Sequence, residues 1–361
     1  MSQSRQYYPS RIKFVKKIMA RRNLDAVIFS DINNIRYLTG FTGSEGTLLV
    51  GRDESVLLVD GRYKLQAAGE AQEVTVSVYK NYFPGIGKAA KKLGARKLGF
   101  EAGVITVETH RRLVDELKDA KLVPLVDELK FLRARKDESE IAAMKKAAAI
   151  AADAMGAILA EIRPGWTEME TALQFELEAR RRGAEQVAFE TIVASGENSA
   201  MPHARPSNRK IEMGDFVIID FGVRYRGYCC DETCTLAFGE LTVAKKNAYR
   251  ATLKAHDEAI ASIREGVAAA SVDRLVRDVL GKKYSRYFVH ATGHGVGLEV
   301  HEAPRLALQS PDVLSAGMLV TVEPGLYFPD RWGIRIEDTV WVKKNGCQAI
   351  TKLDKKLTII E

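Results

Sequence analysis

Cysteine is scarce in this chain: Cys229, Cys230, Cys234 and Cys347 are all there are in 361 residues. Three of them crowd together, too close to staple a chain of this size, and no CxxC pair of the zinc type occurs. That argues against a disulfide framework and for a reduced, cytoplasmic setting. Long hydrophobic runs are missing too. Nothing approaches the ~18 consecutive apolar residues of a membrane span. The opening MSQSRQYYPSRIKFVKKIMA holds no apolar core of signal-peptide length, so no membrane partner is expected. Nor is charge of one sign concentrated. Lys plus Arg number 54 against 47 Asp plus Glu, a net charge of +7. The basic runs Lys16-Lys17, Arg180-Arg181-Arg182, Lys282-Lys283 and Lys343-Lys344 are scattered. A nucleic-acid binder gathers such an excess into one patch, so no nucleic-acid partner is expected.

What is present is ordinary globular material, 46% hydrophobic and 28% charged, long enough for two domains. The first part alternates strand and helix. Residues 11–23 have helical apolar spacing (Ile12, Phe14, Val15, Ile18, Met19), and Ala26-Val-Ile-Phe29 reads as a buried strand. Asp31-Ile-Asn-Asn34 reads as a turn, and 46–50 and 55–59 as a hairpin. A helix over 62–71, a strand over 74–79, a helix over 86–93 and strands at 97–100 and 121–125 follow. A boundary near 126–135 gives an α/β domain over 1–128 and a second domain over 129–361. The second opens with a helix over 137–162, ended by Pro164-Gly165. Thr167-Glu-Met-Glu170 resembles a capping box and starts another helix, over 167–183. From Val187 the chain turns strand-rich, with further helices at 242–265 and 271–281, an α+β pattern without tandem repeats.

Acidic residues sit at the inner ends of apolar strands. In VIIDFGVRYRGYCCDETCTLAFG, 217–239, Asp220 and Asp231 flank a turn near Tyr225-Arg-Gly227 symmetrically. A hairpin centred there makes them cross-strand partners on one face. Two close carboxylates in a core repel each other and lose hydration, and a cation between them relieves both. Glu323 closes the strand Leu319-Val-Thr-Val322, and Glu337 lies with Arg335 on one face of a strand Gly333-Ile-Arg-Ile-Glu-Asp-Thr339. Half of the six histidines lie in HATGHGVGLEVHE, 290–302. Gly293, Gly295 and Gly297 argue against a helical His290/His294 zinc pair, so the stretch reads as extended, with both histidines on one face. Four carboxylates with one imidazole suit two divalent ions, manganese, cobalt or iron before a closed structural zinc. Such a pair activates water and polarises a carbonyl, which is hydrolysis machinery.

These residues carry a resemblance. IDFG at 219–222, CDET at 230–233, HATGHGVGLEVHE at 290–302, VEPGLY at 322–327 and GIRIEDT at 333–339 resemble the pita-bread metallopeptidases, which include aminopeptidase P, prolidase, methionine aminopeptidase and creatinase. DINNIRYLTGFTGSEG at 31–46 and Asp60-Gly-Arg-Tyr63 resemble the creatinase-type N-terminal domain of the Xaa-Pro branch. The resemblance implies a creatinase-type α/β domain before a pita-bread catalytic domain, in a homodimer. It implies Asp220, Asp231, His294, Glu323 and Glu337 as ligands of two divalent ions, with manganese first and cobalt, iron or zinc as alternatives. It places His290 and His301 on the substrate carbonyl and tetrahedral intermediate, and His203 near the scissile amide and the proline. Glu323 doubles as proton shuttle, and Arg335 orients a carboxylate or contacts substrate. Ala291 and Cys234 depart from the family pattern at positions that are not ligands.

Blander readings stand beside these. His290 and His301 also fit hydrogen-bonded scaffold, His203 a plain loop residue, and Arg335 a salt-bridge partner alone. Cys229 and Cys230 read as strand packing, and His110 and His256 as surface helix residues. GHGVG lacks the Lys-Ser/Thr of a phosphate loop. The expected activity is hydrolysis of an N-terminal Xaa-Pro bond in a proline-containing peptide, by an aminopeptidase, with a dipeptidase (prolidase) as the alternative. TGFTGSEG tilts to the aminopeptidase, Cys234 to the prolidase. A metal-free creatinase-like hydrolase predicts an incomplete ligand set, and a binding module predicts eroded ligands; neither pattern is present.

Overall fold

The computed structural model describes residues 5–361, and contacts divide the chain into two units, one up to Arg133 and one from Ala134 to Glu361. The first unit is built on a six-stranded sheet in the order Thr75–Val78, Ser55–Val59, Thr47–Gly51, Ala26–Phe29, Lys97–Glu101, Lys121–Leu125. Ala26–Phe29 is buried at every position because it lies inside this sheet, antiparallel to Thr47–Gly51 and parallel to Lys97–Glu101. Helices Tyr82–Lys92 and Val107–Glu116 cover one face through Ile86, Ala89, Ala90 and Leu113. The turn expected at Asp31–Asn34 is instead the start of a helix, Ile32–Thr39. The Asp31 side chain caps it by accepting from Asn33 N at 2.9 Å, and Gly40 ends it at φ +80°. Paired asparagines after an aspartate look like a turn, but here the aspartate is the cap.

The second unit repeats one arrangement. Helices Glu138–Glu161 and Glu168–Arg181 pack together, opened by capping boxes at Asp137 and Thr167. Through Ile150, Met155 and Phe175 they cover a sheet ordered Thr358–Ile360, Glu232–Phe238, Phe216–Phe221, Ile192–Ser195. Helices Val243–Ser262 and Ala269–Tyr284 likewise cover, through Ala255, Ala259, Val272 and Val276, a sheet ordered Glu302–Leu306, Gly293–Gly295, Leu319–Val322, Asp338–Lys343, Gly346–Ala349. Each helix pair turns on a left-handed glycine, Gly165 at φ +94° and Gly266 at φ +84°. The halves are too long and too diverged to register as a tandem sequence repeat. Among the described residues no helix is long and apolar enough to cross a membrane.

His256 is a correction. Read as a surface residue, it is 2% exposed, with its ring between Asp257 and Asp338. It lies on the inward face of Val243–Ser262 with Thr252, Ala255 and Ala259.

Candidate active site

The acids reach the site from breaks in strands. The hairpin turns at Arg226-Gly227, where both φ values are positive, and pairs Tyr225 with Tyr228 and Asp220 with Thr233. Its centre lies one residue beyond the expected one, so Asp231 is not the cross-strand partner of Asp220. Asp231 sits instead in an interruption between Tyr228–Cys229 and Glu232–Phe238. There the hairpin passes from one sheet to another, and Gly222, with no side chain, lets the Cys230 carbonyl approach closely. The strand expected over 333–339 is also broken. Trp332–Arg335 pairs with Gly325–Phe328, Asp338–Lys343 pairs with Leu319–Val322, and Glu337 lies between. At such breaks a carboxylate leaves the alternation of its strand and can turn toward a common point.

That point is the floor of a cleft of about 780 Å³, lined by all nine residues singled out from the sequence: His203, Asp220, Asp231, His290, His294, His301, Glu323, Arg335 and Glu337. One carboxylate oxygen each from Asp220, Asp231 and Glu337 lie within 4.8 Å of one another. His294 Nε2 stands 3.7 Å from Asp231 Oδ2 and 3.3 Å from Glu323 Oε1. The strand containing His294 is only Gly293–Gly295, so the extended segment is shorter than expected and His290 lies outside it. The glycines answer to close packing: a side chain on Gly293 would strike the Thr321 carbonyl, and one on Gly295 the Ala303 carbonyl.

Hydrogen bonds fix the protonation of this floor. His294 Nδ1 lies 3.1 Å from the Gly295 carbonyl, which can only accept, so Nδ1 carries the proton and Nε2 is a bare lone pair. That lone pair faces two carboxylates. Burial, then the neighbouring His301, pushes the His294 pKa down to about 4. Burial, reinforced by neighbouring carboxylates, pushes Asp231 and Glu337 well above the usual carboxylate range and Glu323 up to about 8. Among the described residues Asp220 Oδ1 is buried without any partner. Acceptors facing acceptors in a buried floor call for a cation between them, and this oxygen-rich set with one imidazole fits divalent ions.

Arg335 is the cation already there. It donates to Asp220 Oδ2 at 2.5 Å, to Tyr327 Oη at 2.9 Å and to the Pro202 carbonyl at 2.9 Å. Tyr327 in turn donates to His290 Nε2 at 2.9 Å, since His290 Nδ1 donates to the Ala291 carbonyl at 2.8 Å. Burial pushes His290 down to about 4 and Tyr327 up to about 12, which keeps both neutral in this chain. His301 packs its ring 4.3 Å from that of His294 and, among the described residues, makes no hydrogen bond. His203 is exposed on the loop that follows Pro202.

Sequence reading passed over several residues that support this floor. Thr233 donates to Glu337 Oε2 at 2.6 Å, and Thr321 donates to Glu323 Oε1 at 3.2 Å while accepting from His294 N. Tyr327 is the last residue of VEPGLY, 322–327. Arg305 lines the cleft opposite His294 in strand register, and its guanidinium has no partner among the described residues. Its only sequence signal was a basic residue shortly after the third histidine.

Comparison with known proteins accords with this geometry. The model of metallopeptidase family M24 matches residues 142–344, and that of the creatinase/prolidase N-terminal domain matches 11–135. A structure of Xaa-Pro dipeptidase from Bacillus anthracis is 38% identical, covering 98% of this chain and 100% of that one, with a TM-score of 0.95. The X-Pro aminopeptidase structure from Thermotoga maritima is 34% identical, covering 95% and 100%, with a TM-score of 0.88. The Xaa-Pro dipeptidase of Pyrococcus horikoshii is 35% identical over 96% of this chain and 98% of its own. The architecture is therefore a creatinase-type domain followed by a pita-bread catalytic domain.

Proposed function

The chain belongs to metallopeptidase family M24, whose members use divalent metals on peptide substrates, and we propose that it is an Xaa-Pro dipeptidase. The observation that carries the reading is the floor of mutually facing acceptors, Asp220, Asp231, Glu337, Glu323 and the bare Nε2 of His294. These five residues would hold two divalent ions, manganese first. When bound, the ions supply Lewis acidity to the scissile carbonyl and to the attacking water. Glu323, on the cleft floor 3.3 Å from His294 Nε2, is placed to take a proton from that water and return it to the leaving proline nitrogen. His301, free of hydrogen bonds to its described neighbours, can donate to the carbonyl oxygen as charge builds there. His290 is committed to Tyr327 and serves to fix that wall until substrate arrives. His203, Phe189, Ile192 and Val300 line the space for the proline ring, whose tertiary amide and fixed φ defeat ordinary peptidases. Arg335 orients Asp220.

The sequence alone tilts toward an aminopeptidase; the relatives named Xaa-Pro dipeptidase and the unpaired Arg305 tilt the other way. A dipeptide ends in a carboxylate on the proline itself, and a guanidinium across the strand from His294 suits such a group. The aminopeptidase remains the second reading, favoured by the Thermotoga maritima structure and by a cleft roomy enough for more than two residues. Homodimer formation and a cytoplasmic setting belong to the same proposal; they rest on the family resemblance and on four cysteines that are all free thiols.

The test loads the protein with manganese and offers an Xaa-Pro dipeptide and an Xaa-Pro-Yaa tripeptide. Cleavage of the dipeptide alone, with a KM raised about tenfold or more by Arg305→Ala, is the expected result. Cleavage of the tripeptide replaces the dipeptidase by the aminopeptidase. Cleavage of neither by protein with two ions bound sinks the Xaa-Pro assignment.

A further inference from the structure

Behind the cleft floor lies a second meeting of charges that the proposed chemistry does not use. Glu232 and Asp338 each directly follow a floor carboxylate, Asp231 and Glu337. Asp231 and Glu337 line the cleft, whereas Glu232 and Asp338 do not. Both back residues run to one ammonium: Lys355 Nζ lies 2.5 Å from Glu232 Oε1 and 3.3 Å from Asp338 Oδ1. All three side chains are largely buried, at 8%, 0% and 11% exposure.

The rest of the arrangement leaves Lys355 little freedom. Leu353 N donates to Glu232 Oε1 at 2.9 Å, Thr351 Oγ1 donates to Asp338 Oδ1 at 2.5 Å, and His256 Nε2 lies 3.2 Å from Asp338 Oδ2. Tyr249 donates to the Lys355 carbonyl at 2.9 Å. The two backbone segments are also stitched directly, Glu337 N to the Thr233 carbonyl at 3.2 Å and Thr339 Oγ1 to the Asp231 carbonyl at 2.7 Å. A shift of Glu232 against Asp338 therefore moves Asp231 against Glu337.

We propose that Lys355 is a positioning residue for the metal centre: by joining Glu232 to Asp338 it sets the separation of Asp231 and Glu337 across the cleft floor. Divalent ions held by Asp231 and Glu337 would then tie from the front the two chain segments that one ammonium joins behind. The inference rests on the reading of that floor as a metal site. Ligand separation matters because a misplaced donor costs affinity even when every ligand is present.

The experiment is a manganese titration followed by the electron paramagnetic resonance of the free ion, which needs no catalysis. Lys355→Met is expected to weaken manganese binding ~10- to 100-fold. That variant also leaves two buried carboxylates facing each other, so a second variant, Lys355→Met with Glu232→Gln, removes the excess charge. It is expected to regain an unfolding midpoint near that of the parent and still bind manganese weakly. Parental affinity in the double variant would mean that Lys355 only balances charge, and the proposal falls. A parent that binds neither manganese nor cobalt overturns the metal site itself, and this proposal with it; a parent with two ions and a Lys355→Met variant indistinguishable from it overturns the positioning role alone.

Discussion

Stripping the metal should make this protein lose stability as pH rises through neutrality, the reverse of a salt-bridged carboxylate protein. Glu323 has an ordinary pKa of 4.5 and is drawn up to about 8 in the fold. Between those values the native chain keeps a proton that the unfolded chain has released. The stability tied to that proton is whole below about pH 4.5 and drains away as pH climbs through about 8. From pH 7 to pH 8 Glu323 alone then costs about 1 kcal/mol. Asp231 and Glu337 are shifted the same way, and each proton can add at most ~1.4 kcal/mol per pH unit. His290 and His294, held down to about 4, act in the opposite sense, but mostly below pH 6.5; they return roughly 0.3 kcal/mol here. The buried thiols Cys229 and Cys234, drawn up to about 12, offset about a third of that. A fall of ~1–4 kcal/mol is therefore expected over one pH unit. Urea unfolding of chelated protein measures it, since urea leaves ionic strength alone. Tryptophan fluorescence isolates the relevant unit, because Trp166, Trp332 and Trp341 all lie beyond Ala134. With saturating manganese the slope should vanish or reverse, because bound ions require the deprotonated ligands. A metal-free stability that is flat or rises from pH 7 to 8 would refute the reasoning: the floor would then hold its charges without help.

Gly293→Ala presses a methyl group on the Thr321 carbonyl and should cost ~1–3 kcal/mol by urea unfolding, with manganese affinity lost alongside as His294 is pushed off line. Arg335→Met leaves Asp220 Oδ2 without its cation; breaking a buried pair by one partner should cost ~3–5 kcal/mol by the same assay and lower kcat/KM on Xaa-Pro dipeptide by roughly 100-fold. Glu168→Gln disturbs the fully buried carboxylate that accepts from Ser195 N, Ser195 Oγ, Ser207 N and Ser207 Oγ at the neck of the His203 loop. There KM should rise about tenfold with kcat changed less than about twofold, read from initial rates over a range of dipeptide concentrations.

The residues that gather at the cleft could be named from the sequence because their types are improbable where they occur: acids ending apolar strands, histidines among glycines. Their mutual arrangement could not be. The hairpin centre was missed by one residue because Arg226 takes a positive φ that its side chain does not advertise. The breaks that free Asp231 and Glu337 come where the chain passes from one sheet to another, a tertiary matter. His256 shows the same limit: nothing near it in sequence announces Asp338, more than eighty positions away (338 − 256 = 82). Helices with sound caps, such as the one opened by Thr167 and Glu170, were legible because cap and box are local chemistry.

The strand Glu232–Phe238 lies between Phe216–Phe221 and Thr358–Ile360, pairing Leu236 with Thr358 and Phe238 with Ile360. Synthesis runs in one direction, so the second of those neighbours is made roughly 120 residues after the strand itself (358 − 238). The unit ending at Arg133 can close on itself far earlier, since its six strands are all present by Leu125. The sheet that presents Asp220 stays open-edged until Thr358–Ile360 has been made. The first unit can therefore be folded while the strand that follows Asp231 still waits for one of its two neighbours.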